Sequence, residues 1–347
     1  VNFLKKIILA ANIVLVVALL MSYLSPSTNP NENWVYAFFG VFYPLLLLAN
    51  LFMMVLWMLV DFKYLFISLI AILIGWSHLT SFVNISGPAK GDMDLRVMSY
   101  NLGNGYGMRD QDVKKQRKKA KIFQNYLGGL DKLDVICLQE ASHYVKTIFS
   151  HQFPDYKLVE LKEKAAIMYT RYPVVDSGVV EFGTITNSCI YADLKTPSGV
   201  IRVYNTHLQS NSIGDEAADV LENEQFDESK AWSSVLNILN KYRAATKKRA
   251  TQARKIKIHA STSPHPVMIV GDINDPPTSY TYNTLSEGMT DAFHKRGSGI
   301  GTTYGGSIPM LRIDYILTDP QLEILKYQCK KERFSDHYPI FGEVKVK

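Results

Sequence analysis

The chain has 347 residues, 47 % hydrophobic and 20 % charged, with a formal net charge of +6. That length holds one large domain or two smaller ones around a sizeable core, and the modest positive charge suits a phosphate-bearing or anionic-membrane partner without singling one out. Three cysteines (Cys137, Cys189 and Cys329) are an odd number at no metal-like spacing, which implies no disulfide framework and leaves Cys137, inside "DVICLQ", as a core residue.

The first 85 residues carry very few charges and contain three apolar runs. "IILAANIVLVVALLMSYL", "WVYAFFGVFYPLLLLANLFMMVLWMLV" and "YLFISLIAILIGWSHLTSFV" are each near or above the roughly 20 residues that cross a bilayer. They predict three transmembrane helices over about residues 6–24, 34–60 and 64–83. A cleavable signal peptide fits the first run poorly, because no small-x-small site follows it. Lys5, Lys6 and Lys63 flank the spans, while the loop from Ser25 to Asn33 has no Lys or Arg. The positive-inside rule then puts the N-terminus and the Asp61-Phe62-Lys63 turn in the cytoplasm, and everything after about Gly87 outside it; Lys90 and Arg96 run against this trend. His78 falls near the outer end of the third span, beside Trp76, and reads as interfacial. A Ser-Gly-Pro-Ala-Lys-Gly stretch marks a linker, so residues 1–86 form the membrane region, 87–93 the linker and 94–347 a second domain.

From Leu95 onward, short apolar strands alternate with helical stretches. "LRVMSYN" ends on Asn101, "LDVICLQE" on Glu140, "GVIRVYNTHL" passes Asn205 to His207, and "PVMIVGDIN" ends on Asp272 and Asn274. "AAIMYTRYPV" reads as a strand and turn. Two further strands begin with polar residues: "RIDYIL" at Asp314 and "SDHYPIFGEV" at Asp336-His337. One strand ending on a carboxylate is ordinary turn chemistry. Six polar strand ends are different, because strands running in mixed directions can bring them all to one edge of a sandwich. Carboxylate, amide and imidazole without thiolate suit a hard cation such as Mg²⁺ or Mn²⁺. The same set suits activation of water against a phosphoryl group.

Asn101, Glu140, "NTHL", "GDIND", "RIDYIL" and "SDHYPI", in this order over about residues 94–347, resemble the endonuclease/exonuclease/phosphatase superfamily. That superfamily includes deoxyribonuclease I, apurinic endonucleases, inositol-polyphosphate 5-phosphatases and bacterial sphingomyelinases; this chain looks like a membrane-anchored bacterial member. "GDIND" departs from the commoner Gly-Asp-Phe-Asn form at no catalytic atom. The resemblance implies an α/β (α+β) fold, a four-layer α/β/β/α sandwich. It implies Glu140 as principal metal ligand, with Asn101 beside it and Asp336 as an additional metal-side carboxylate. Asp272 would orient or deprotonate the attacking water, and Asn274 would hold a phosphate oxygen. His337 would contact the scissile phosphate as base or electrostatic stabiliser, with Asp314 fixing its tautomer. His207 would be a second phosphate contact or acid.

Other conspicuous stretches read as structure. "VKKQRKKAKIFQNYL" carries an apolar stripe of Val113, Ala120, Phe123 and Leu127, leaving its lysines on a solvated helix face. "NKYRAATKKRATQARKIKIH" reads the same way. Asn211 to Lys230 is acidic, with Trp232, Val235, Leu236 and Leu239 following at helical spacing; it reads as a surface helix and its lead-in, or as a rim shaping substrate access. "GSGIGTTYGG" leads into a strand, so a dinucleotide loop fails on context. His143 and His151 read as surface positions. The expectation is a membrane-tethered, Mg²⁺- or Mn²⁺-dependent phosphoesterase, multi-pass, with its catalytic domain outside the cytoplasm. Its partners would be the bilayer and a phosphate ester: nucleic acid, phospholipid headgroup or small phosphoester. No protein partner is expected, and a non-enzymatic binding module is disfavoured because every catalytic residue type is present.

Overall fold

The computed structural model describes residues 2–161, 165–184, 186–210, 228–306 and 310–347. The N-terminal part is a helical bundle: α1 (Asn2–Tyr23), α2 (Val35–Val41), α3 (Tyr43–Val60), a single 3-10 turn, α4 (Leu65–Ile74) and α5 (Trp76–Phe82). Two helices, Phe3–Tyr23 and Tyr43–Val60, are long and apolar enough to cross a membrane.

Both later spans differ from the straight helices expected. The second breaks at Phe42, because Pro44 has no N–H to give and its ring disfavours a continuous helix. The carbonyl of Gly40, four residues before that proline, instead accepts a hydrogen bond from the Thr278 hydroxyl at 2.9 Å. The third bends by 68° at Gly75, where the Tyr23 ring occupies the space a Cβ would need. It makes a third crossing only if α4 and α5 count as one broken span. His78 is packed between Tyr23 and Tyr43, with ring centroids 4.7 and 5.8 Å away. A buried chain of hydrogen bonds holds α1, α3 and α4 in register: Trp57 Nε1 donates to Asn12, Asn12 to Ser68, and Ser68 to Asn50. In apolar surroundings such satisfied polar groups fix helix rotation.

β1 (Val83–Ile85) leads from the bundle into a sandwich of β2 (Leu95–Asn101), α6 (Val113–Gly128), β3 (Val135–Gln139), α7 (His143–Gln152), β4 (Lys157–Val159), β5 (Ala166–Thr170), β6 (Val174–Val180), β7 (Ser188–Thr196) and β8 (Gly199–His207). After α8 (Glu228–Ser261) come β9 (Val267–Asp272), α9 (Tyr280–Ser286), β10 (Thr290–Asp291), α10 (Ala292–Arg296), β11 (Ser298–Ile300), β12 (Asp314–Thr318), β13 (Leu322–Cys329) and β14 (Ile340–Val346). Two six-stranded sheets result, in the orders β13-β14-β2-β3-β5-β4 and β10-β12-β9-β8-β7-β6.

Both faces of the central strands are covered, which is why they read as unbroken apolar runs. In β9, Met268 and Val270 enter the core between the sheets, where Val97, Cys137, Ala192 and Ile316 meet them. Ile269 points the other way, towards Ala253 and Ile256 of α8. Met98, Tyr100 and Ile136 likewise leave the first sheet to pack on Phe123 of α6 and Phe149 of α7. The layers are therefore α/β/β/α. The helix α6 buries Ala120, Phe123 and Leu127 as its stripe predicts, but Val113 at its first turn is 61 % exposed. In α8 the expected stripe fails more clearly: Val235 and Leu236 are exposed, and burial begins further along, at Tyr242 and Ala245. Residues 211–227 of the acidic stretch lie outside the described residues.

β2 runs parallel to β3, and β8 parallel to β9, while β14 and β12 run antiparallel to their neighbours β2 and β9. The C-terminal ends of four strands and the N-terminal ends of two therefore share one edge. The register pairs His207 with Asp272 and Asp272 with Asp314.

Candidate active site

Asp272 sits at the centre of that edge, fully buried at the end of β9. Its oxygens accept from Asn101 Nδ2 at 2.8 Å, from the Asn274 backbone N–H at 2.7 Å and from Asn274 Nδ2 at 3.2 Å. The first of these bonds joins the two sheets. Gly271 before it has φ of +130°, and a Cβ there would stand 2.1 Å from the Thr206 carbonyl oxygen. Only glycine allows the parallel strand to come this close.

The Asp314 carboxylate, at the start of β12, holds His337 through Nδ1 at 3.0 and 3.2 Å. That contact orients Nε2 of His337 to within 3.7 Å of Asp272. The expected strand start at Asp336-His337 is corrected: β14 begins at Ile340, and His337 makes only an isolated bridge to Tyr304. Opposite, His207 is fixed by the Thr186 carbonyl at its Nδ1, 2.9 Å away. Its Nε2 lies 3.2 Å from Glu140 and 3.9 Å from Asp272. Glu140 is the more open carboxylate, its side chain 28 % exposed, and it also accepts from Asn104 Nδ2 at 3.0 Å.

Backbone strain gathers here. Asn104, Glu140 and Asn274 all have φ between 49° and 56°, the left-handed region that side chains rarely adopt. Such conformations persist where the surroundings over-determine them, and they cluster at functional sites.

The charges are unbalanced. Among the described residues, His207 and His337 are the only cationic partners of Glu140, Asp272 and Asp314. Burial opposes the charge on His337, yet Asp314 and then Asp272 push its pKa up to about 10. Burial likewise opposes charge on His207, whose pKa is nevertheless raised by Glu140 and Asp272. Glu140 is held below the usual carboxylate range, first by the hydrogen bond from His207. Burial raises Asp272.

A hard divalent cation fits this donor set, which offers oxygens from Glu140, Asn101, Asp272 and Asp314 and no thiolate. Asp272, Asp314 and His337 have ligand atoms within 4.8 Å of one another. The Nδ1 of His337 is already engaged by Asp314, so these two form a carboxylate–imidazole pair, and Glu140 remains the accessible carboxylate. Asp336 stands apart: it is exposed at the rim, accepts from Ser335, and among the described residues no bond joins it to Glu140 or Asn101. The second carboxylate of "GDIND", Asp275, turns away to Arg249 at 2.8 Å.

Three neighbours of the site were not singled out in the sequence. Thr303 Oγ1 accepts from the backbone of Asp314, Tyr304 packs 5.1 Å from the His337 ring, and Asn104 holds Glu140. The first two lie in "GSGIGTTYGG", where a hydroxyl and an aromatic ring in a glycine-rich loop carry no signal of their own.

The endonuclease/exonuclease/phosphatase family model matches residues 98–337, and that of a domain of unknown function (DUF8431) matches residues 5–82. No curated protein sequence matches the chain. Several solved structures share the fold. An endonuclease/exonuclease/phosphatase from Bacteroides vulgatus is 19 % identical at a TM-score of 0.53, the match covering 74 % of this chain and 100 % of that one. For a mannosyl-6-phosphatase of Bacteroides thetaiotaomicron the values are 18 %, 0.51, 72 % and 99 %. For D. rerio TDP2 complexed with single strand DNA product they are 17 %, 0.52, 73 % and 99 %. At these identities the likeness is one of fold.

Proposed function

The chain belongs to the endonuclease/exonuclease/phosphatase family, and on that premise we propose that it is a membrane-tethered phosphoesterase using Mg²⁺ or Mn²⁺. The observation that carries this reading is the charge imbalance on the catalytic edge, where, among the described residues, three buried or half-buried carboxylates meet only two imidazoles. Glu140 would hold the cation, with Asn101 beside it. When bound, the ion would neutralise charge developing on the phosphoryl oxygens. Asp272, fixed by Asn101 and Asn274, orients and takes a proton from the attacking water. Asn274 offers its amide to a phosphate oxygen. With its pKa near 10, His337 enters as a cation, so it stabilises the phosphoryl group rather than serving as the base. Asp314 holds its ring and tautomer. His207 is the second cationic contact and the proton donor to the leaving oxygen.

Tethering is supported by the two apolar helices and by the bundle's charged end. Lys5 pairs with Asp61, and Lys63 lies beside it, which gathers the basic residues on one side. By the positive-inside rule that side is cytoplasmic and the sandwich lies outside. DNA, RNA, phospholipid headgroups and small phosphoesters are the substrates to separate.

Purified full-length chain in detergent should hydrolyse bis(p-nitrophenyl) phosphate with Mg²⁺ or Mn²⁺ and lose that activity in chelator. Glu140→Gln should lower kcat by about 10²-fold or more at unchanged thermal stability. Full activity in excess chelator would end the proposal.

A further inference from the structure

We infer that the catalytic edge faces the bilayer and that the substrate is a phosphoester carried on a lipid headgroup, an assignment that rests on the phosphoesterase and membrane readings above. The bundle docks on the same edge of the sandwich as the catalytic side chains. Ala37 and Val41 of α2 pack against Leu311 and Ile313, directly before Asp314, with Phe38, Phe42 and Tyr304 around them. Tyr304 in turn meets the His337 ring. On the other side, Gly40 bonds to Thr278, four residues past Asn274.

The route of the chain says the same. β1 leaves the bundle and pairs with β11, and Gly301 just beyond β11 donates its N–H to the Phe82 carbonyl. The linker then runs back along β13, where the Ala89 N–H bonds to the Leu325 carbonyl at 2.7 Å. It reaches the far edge at Asp94, bonded to Val344, and only there does β2 begin. A simple tether would start β2 beside the bundle and leave Asn101 at the distant edge. Here the linker runs back along β13 to turn the domain round.

The ribbon at the joint is suited to a lipid surface. Val83 and Ile300 are register partners on one face, 42 % and 53 % exposed, and Ile85 on that face is 94 % exposed. Trp76 of the bent α5 is also exposed. Indole and branched aliphatic side chains at the end of membrane helices are what the interfacial region accepts. Lipids held in the same plane as the site need only lateral diffusion to reach it. The reaction needs no further co-reactant: the water oxygen bonds to phosphorus, one P–O ester bond breaks, and the proton lost by water is matched by one gained by the departing oxygen.

The test uses the full chain in phosphatidylcholine proteoliposomes carrying phosphatidylethanolamine, phosphatidylglycerol, sphingomyelin or phosphatidic acid in turn, with Mg²⁺. One of these should be cleaved about 10²-fold faster than its water-soluble glycerophosphate counterpart or single-stranded DNA, because confinement raises the effective concentration. In a Cys329→Ser background, a fluorophore at Lys331→Cys on the catalytic edge should be quenched by headgroup spin-labelled lipid, and one at Lys347→Cys on the far edge should not. Equal or reversed quenching, or soluble substrates cleaved as fast as lipids, would overturn the inference while bis(p-nitrophenyl) phosphate cleavage keeps the phosphoesterase reading standing. Loss of that cleavage too would remove both.

Discussion

His337 and Asp314 form the part of the site whose chemistry is most exposed to test. The imidazole is buried and aimed by one carboxylate at another, 3.0 Å on one side and 3.7 Å on the other. An electrostatic or acid–base contribution of this kind is worth about 10²–10⁴-fold in rate. His337→Ala should lower kcat by about that factor with KM little changed and the fold retained, at some loss of thermal stability because Asp272 and Asp314 lose their cationic partner. Asp314→Asn acts through the same unit, so the double variant should be far less impaired than the product of the two defects. Independent, multiplying defects would show that the pair does not work as one. The residues themselves were legible, since Asp314 opens β12 and His337 shortly precedes the apolar run of β14. Tyr304 and Asn104 were not, because an aromatic or an amide in a glycine-rich loop gives no signal until the fold brings it to its partner.

Among the elements, α8 and α5 carry consequences beyond their own residues. His259, near the end of α8, pairs with the Tyr204 hydroxyl at 2.8 Å on the outer face of the second sheet. Burial, then the nearby Arg202, lowers its pKa from the ordinary 6.5. The folded state thus favours the neutral ring, a contribution present above pH 6.5 and lost as pH falls through the lower folded value. His259→Gln should lessen whatever stability thermal melts of the full chain lose as pH falls below 6.5. At α5, the buried Arg312 reaches the Ser81 carbonyl at 3.2 Å and Asp291 at 2.6 Å, tying the bundle to the sandwich. Arg312→Met leaves Asp291 buried without its cation and should cost about 3–5 kcal/mol in chemical denaturation; a cost below about 1 kcal/mol, the range of exposed pairs, would mean the joint is solvated. Helix existence was readable from hydrophobic runs. The bend at Gly75 was not, because it depends on the Tyr23 ring filling the space beside it.

For the whole molecule, the question is on which side of the membrane the sandwich stands. Lys5, Lys63 and Asp61 meet at one end of the bundle and the catalytic edge at the other. A periplasm-dependent phosphatase reporter fused after Lys347 should be active, and a cytoplasm-dependent one silent. The opposite pair of results would turn the chain over and put cytoplasmic phosphoesters in reach of the same site.

The sequence by itself determined the family and the alternation of layers, and it pointed to polar groups that the fold gathers on one edge. Those signals are local: a strand covered on both faces must be apolar throughout, and its polar residues are confined to its ends. The second span was read as one helix, although Pro44 marks where it breaks. The tertiary structure alone decided that Glu140 meets His207, that Asp275 serves Arg249 instead of the site, and that Asp336 stands at the rim. It also decided that the linker reverses the domain, so that α2 stands beside Tyr304. Each of these joins residues far apart in the chain through packing and register, and neither is written in the spacing of any one segment.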